Sequence, residues 1–159
     1  MGRPGGTAGV DHRTRPPAQP LIAGLFLADT SATAAARKEA HLAGWLTRLM
    51  EAGLLATCVP LDLEAGFSAT SPTDHQLIMA QRREFLVELP HTPEVATRAR
   101  EVQAALAVAG QHRAAGSFDV LVAAFALTYR ATVLHHDRDY DIIASVTELT
   151  AERVGGRRP

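Results

Sequence analysis

The sequence is poor in cysteine, lysine, aromatic side chains and long apolar runs, and each shortage closes off a class of function. Its 159 residues hold one cysteine, Cys58, which excludes an internal disulfide framework and a cysteine-built zinc site. Cys58 sits in the run Leu54-Leu55-Ala56-Thr57-Cys58-Val59, where it reads as a small buried hydrophobe of a strand. Lysine occurs at Lys38 alone, and 16 basic against 17 acidic residues leave a formal charge of -1. Bulk attraction to nucleic acid or to an anionic membrane is therefore absent, and any such binding has to be local. Aromatic residues make up 5%, too few for a platform that reads bases by stacking. No apolar stretch approaches the roughly 20 residues of a membrane span. Arg3, Arg13 and Arg15 precede the run Leu21 to Ala28 in the manner of a signal peptide, but that run is short and ends in Asp29. The expectation is a cytoplasmic protein with no membrane contact.

What remains is the balance of an ordinary globular chain, 47% hydrophobic and 21% charged. Residues 1–20 are rich in glycine and proline and carry Val10 as their one branched aliphatic residue before the final Pro20, so they are expected to form a flexible extension. Residues 21–152 are expected to form one domain, and 153–159 a flexible tail. Within the domain, short apolar runs alternate with helical patterns. Leu25-Phe26-Leu27-Ala28, Leu54 to Cys58, Phe85 to Leu89 and Ala131-Thr132-Val133-Leu134 read as strands, with a fifth following Ile142 to Leu149. Leu42, Trp45, Leu46 and Leu49 recur at helical spacing, and Gly53 closes that helix. Thr73-Asp74-His75-Gln76 matches a capping box, and Thr92-Pro93 opens a helix that Gly110 stops. Ser117 is expected to cap a helix from Phe118 to Tyr129 that is apolar almost all round, hence central. Continuous apolar strands separated by helices predict an α/β fold. It is a three-layer α/β/α sandwich with a mostly parallel sheet of four or five strands.

Acidic residues fall at particular points of this pattern. Asp29 directly follows the first strand, and Asp137 follows the fourth in His135-His136-Asp137-Arg138-Asp139-Tyr140-Asp141. Glu64 lies a few residues beyond the second strand, near Asp62, and Asp119 lies in the first turn of the central helix. Ligands of open parallel sheets bind at the carboxyl ends of the strands, so these carboxylates are expected on one rim. Each has a plainer reading. Asp119, Asp62 and Glu64 suit a helix start, and Asp137, Asp139 and Asp141 suit a solvated turn. Taken together they favour a cation, because converging carboxylates repel one another without one. Oxygen-only ligation points to Mg²⁺ or Mn²⁺. His135 and His136 are neighbours on a strand end and point to opposite sides, which predicts one buried and one exposed histidine rather than a zinc pair. Arg113, before the Gly116 turn, is either a solvated loop charge or a phosphate contact.

Leu27-Ala28-Asp29-Thr30-Ser31-Ala32, Gly116-Ser117-Phe118-Asp119-Val120-Leu121-Val122-Ala123-Ala124 and Val133-Leu134-His135-His136-Asp137-Arg138-Asp139-Tyr140-Asp141 resemble the three signature blocks of PIN-domain ribonucleases. The nearest group is the VapC toxins of type II toxin–antitoxin modules, and the order and spacing hold from about residue 22 to residue 150. The resemblance implies a Mg²⁺- or Mn²⁺-dependent endoribonuclease with an acidic quartet at Asp29, Glu64, Asp119 and Asp137. Asp29, Asp119 and Asp137 would be the metal ligands, and Ser31 and Asp139 supporting residues. It also implies an RNA substrate, a homodimer and a cognate small antitoxin. The last block often has threonine where this chain has His135.

Other readings fit less well. A haloacid-dehalogenase-like, metal-dependent phosphatase needs a second aspartate where Ser31 stands. Nucleotide-binding folds need a glycine loop after the first strand, and Asp29-Thr30-Ser31-Ala32 has none. A catalytically inactive PIN-like module that binds RNA or protein is opposed by the presence of all four acids.

Overall fold

The computed structural model describes residues 24–155. The expected flexible extension 1–20 and the end of the expected tail, 156–159, lie outside the described residues. The elements run in the order β1 (Phe26–Ala28), α1 (Thr30–Ala36), α2 (Ala40–Glu51), β2 (Leu55–Thr57), α3 (Val59–Phe67) and α4 (Pro72–Phe85). Then follow β3 (Val87–Glu88), α5 (Pro93–Val108), α6 (Ser117–Tyr129), β4 (Thr132–His135), α7 (Arg138–Val146) and β5 (Ala151–Arg153). The five strands form one sheet in the order β3-β2-β1-β4-β5, and every pair is parallel.

Alternation along the strands sorts the chain into layers. Leu27, Ala56 and Val133 face a core shared with α5, α6 and α7. Their neighbours Phe26, Leu55 and Leu134 face the opposite side, against Ala32, Ala36, Leu42 and Leu49 of α1 and α2. The result is the expected α/β/α sandwich. Gly53 and Gly110 end α2 and α5 with positive φ, as their places in the sequence predict.

Several boundaries differ from the sequence reading. Helix α4 begins at Pro72, with Ser71 accepting a hydrogen bond from the Asp74 amide; the capping box at Thr73 is not the start. Proline at the first helical position has its φ already set, which moves the start upstream. The same helix takes in Phe85 at its far end, so β3 shrinks to two residues on the sheet edge. Gly116, not Ser117, is the N-cap of α6. Ile142 and Ile143 belong to a helix, α7, that Asp137 caps and that carries Asp139 and Asp141 in its first turn. Finally, β5 reaches Arg153 and Val154 is buried, so the ordered chain runs past the expected boundary at 152.

Candidate active site

The chain lays β1, β2 and β3 to one side of the sheet, then returns to lay β4 and β5 on the other. The direction of strand addition thus reverses between β1 and β4, the place where such sheets open a crevice at their carboxyl ends. Asp29 and Asp137 leave the sheet at this crevice. Asp29 caps α1, and its amide donates to the Leu134 carbonyl of β4 at 3.0 Å. Asp137 caps α7, accepting from the Asp139 amide at 3.1 Å.

Asp29 is 5% exposed, and its two oxygens are held from different sides. Oδ2 accepts from the Ser31 amide at 2.9 Å and from the Ser31 hydroxyl at 2.5 Å. Oδ1 accepts from the Tyr140 hydroxyl at 3.1 Å. The Ser31 oxygen in turn accepts the His136 amide at 2.9 Å, tying the start of α1 to the end of β4. Asp119, one turn into α6, faces the same crevice. Its carboxyl pKa is pushed up to about 6, first by burial and then by the negative charges of Asp139, Asp29 and Asp137. Asp119 therefore feels the charges of three other acids. Gly116 leaves room for this carboxylate, since a Cβ there would stand 3.0 Å from Asp119 Oδ2.

Glu64 joins from α3. Its Oε2 accepts from the Thr30 hydroxyl at 2.5 Å, which hangs it beside the residue that follows Asp29. Asp62 is engaged elsewhere, accepting from Arg82 Nε at 2.6 Å and from the Thr57 hydroxyl at 2.8 Å. Arg113 is exposed in the turn before Gly116, and among the described residues no hydrogen bond joins it to the acids. His135 is buried and His136 exposed, as strand alternation predicts. His135 Nδ1 lies 2.6 Å from the Asp137 carbonyl, and Nε2 is buried with no hydrogen-bond partner among the described residues.

The oxygen-only donor set suits a hard divalent cation, which would relieve the repulsion that adds to burial in lifting Asp119. Among the described residues no three of the acid, histidine or cysteine side chains are drawn together closely enough to hold an ion as they stand. Beside the acids a groove of about 790 Å³ runs along α3 and the start of α6, lined by Val59, Leu63, Phe67, Phe118 and Leu121, with Glu64 and Ser117 also in its wall. Leu63 and Phe67 are 69% and 92% exposed. Tyr140, Thr30 and Gly116 are the site residues that sequence reasoning passed over as such; the 135–141 block contained Tyr140 but gave its hydroxyl no partner.

The fold is an all-parallel α/β/α domain with acidic side chains at the point where its strand order reverses. Residues 26–146 match the PIN domain family. The chain is 43% identical over 110 residues to ribonuclease VapC21 of Mycobacterium tuberculosis, covering 69% of this chain and 79% of that protein. It is 37% identical over 141 residues to ribonuclease VapC2 of the same organism, covering 84% and 95%. A solved structure of DNA-bound VapBC from Salmonella typhimurium shares the fold, with a TM-score of 0.66 at 16% identity, covering 81% of this chain and 97% of that one. This chain belongs to the PIN-domain family, in its VapC ribonuclease group. Nucleases of this kind depend on a divalent metal. No helix among the described residues is long and apolar enough to cross a membrane.

Proposed function

We propose that this chain is an endoribonuclease dependent on Mg²⁺ or Mn²⁺ and the toxin of a type II toxin–antitoxin pair, acting in the cytoplasm. The observation that carries the reading is the gathering of acids at the crevice, where Asp119 is half-buried and its pKa is raised first by that burial and then by the charges of Asp139, Asp29 and Asp137. Asp29, Asp119 and Asp137 would hold the cation, with Asp139 at its edge. When bound, the cation offsets the converging negative charge, makes a water more acidic and steadies the charge that builds on the phosphate. Glu64, held by Thr30, would orient an attacking water and accept its proton. Ser31 keeps Asp29 Oδ2 turned toward the rim. Arg113, exposed beside the α6 start, is free to meet a backbone phosphate of the RNA.

The antitoxin follows from the same surface. An acidic crevice beside an apolar groove fits an amphipathic segment whose apolar side fills the groove and whose arginine or lysine reaches the carboxylates. The protein is expected to pair with itself as a homodimer, which its mass in solution checks. The domain is proposed to span about residues 21 to 152, with β5 running on to Arg153.

Asp29→Asn and Asp119→Asn should each abolish Mg²⁺-dependent cleavage of RNA with the fold kept. Asp74→Asn, at the start of α4, should cleave like wild type. Equal activity in all three variants would sink the assignment of the site.

A further inference from the structure

Tyr140 has no part in the reading above, yet its hydroxyl lies at the centre of the acids. The side chain is 0% exposed and belongs to the core packed under α5, α6 and α7. Its ring lies 5.3 Å from that of His135. Packing alone would be served by phenylalanine, which fills the same volume without burying a hydroxyl, and a buried hydroxyl needs a partner. Here the partner is a carboxylate. The hydroxyl donates to Asp29 Oδ1 at 3.1 Å. A phenol hydroxyl is a donor at neutral pH, so it offers its proton to Asp29. The helix makes this placement possible. Asp137 caps α7, and Tyr140 lies three residues further, within the first turn, so one turn carries a rim carboxylate and the phenol beneath it.

We propose that Tyr140 is a positioning residue of the site, whose hydroxyl holds the Asp29 carboxylate in place to face a cation. The inference rests on the metal-dependent reading and adds a residue to it. A group that orients ligands from behind governs metal affinity more than substrate affinity, and losing such a partner commonly costs 10–100-fold in metal binding.

The test compares the full chain as wild type, Tyr140→Phe and Ile143→Val, the last a buried packing change on the same helix. Calorimetric titration with Mn²⁺ should give Tyr140→Phe a dissociation constant about tenfold or more above wild type. Its kcat at limiting Mn²⁺ should fall and recover as Mn²⁺ is raised, while KM for RNA stays unchanged. Ile143→Val should melt lower and bind Mn²⁺ like wild type. The melting shift on adding Mn²⁺ reports the same affinity even in a weakened fold. Wild-type affinity in Tyr140→Phe, with wild type binding Mn²⁺, overturns this inference alone. Wild type that binds no Mn²⁺ overturns both it and the metal-dependent reading.

Discussion

Asp119 is the residue at which folding and function pull in opposite directions. Its carboxyl is most at ease protonated in the folded protein, with a pKa of about 6 against an ordinary 3.8, yet holding a cation requires it charged. The folded state binds this proton more tightly than the unfolded chain, so the metal-free protein should lose stability as pH rises from about 4 through about 6. Above that window this group adds no further change. Melting curves of the metal-free protein at pH 5 and pH 7 should show wild type the less stable at pH 7, and Asp119→Asn with much less of that difference. At pH 7 the variant should melt at or above wild type, because one of the crowded charges is gone. Mn²⁺ should raise the melting temperature of wild type and do far less for the variant. Were Asp119 only a helix-start residue, its loss would cost about 0.3–1 kcal/mol and leave the Mn²⁺ response unchanged. That outcome would remove Asp119 from the site.

At the scale of elements, what was legible depended on how local its cause is. Helices α2, α5 and α6 could be read because their apolar spacing and the glycines after α2 and α5 act within one turn. The rim acids could be read because buried parallel strands are continuous apolar runs, and Asp29 stands at the end of one. Helix α7 was hidden by its own acids. Asp137, Asp139 and Asp141 look like a solvated turn, yet negative charge is also what a helix start favours, and only Tyr140 and Ile143 turned inward reveal which it is. The bonds of Thr30 to Glu64 and Tyr140 to Asp29 join residues 34 and 111 positions apart, and no local pattern announces them. Asp62 and Glu64 could not be ranked by sequence; two residues apart on a helix, they point to nearly opposite sides. Arg82 takes Asp62 and Thr30 takes Glu64. Arg82→Met should therefore cost about 1.5–3 kcal/mol of stability, the usual worth of hydrogen bonds to a charged group, and leave cleavage at permissive temperature intact. Glu64→Gln should do the reverse, keeping the melting temperature and losing cleavage. Denaturant melts beside RNA cleavage rates separate the two, and a cleavage loss confined to Arg82→Met would exchange their roles.

The molecule as a whole has almost no net charge, so its surface draws partners by patches and not by a long-range field. One patch is apolar. Val59, Leu63 and Phe67 recur every four residues along α3 and line a single groove whose wall includes Glu64 of the acid site. Apolar surface that a folded monomer leaves in water in this way marks a place where another chain sits. RNA, whose backbone is charged throughout, gains little from it, whereas an amphipathic antitoxin segment would bury it. The two partners can thus be separated by one substitution. Phe67 is 92% exposed and packs little against its own fold, so Phe67→Glu should leave stability and RNA cleavage unchanged. Losing the burial of one phenylalanine is worth about 1.5–3 kcal/mol, or about 10–100-fold in antitoxin affinity. Cells expressing wild type alone should stop growing and should recover when the cognate antitoxin is co-expressed. Cells expressing Phe67→Glu should stop growing and recover poorly under the same co-expression. Full recovery with the variant, at equal levels of both proteins, would move the antitoxin off this groove. Growth unimpaired by soluble, RNA-cleaving wild type would remove the toxin role itself.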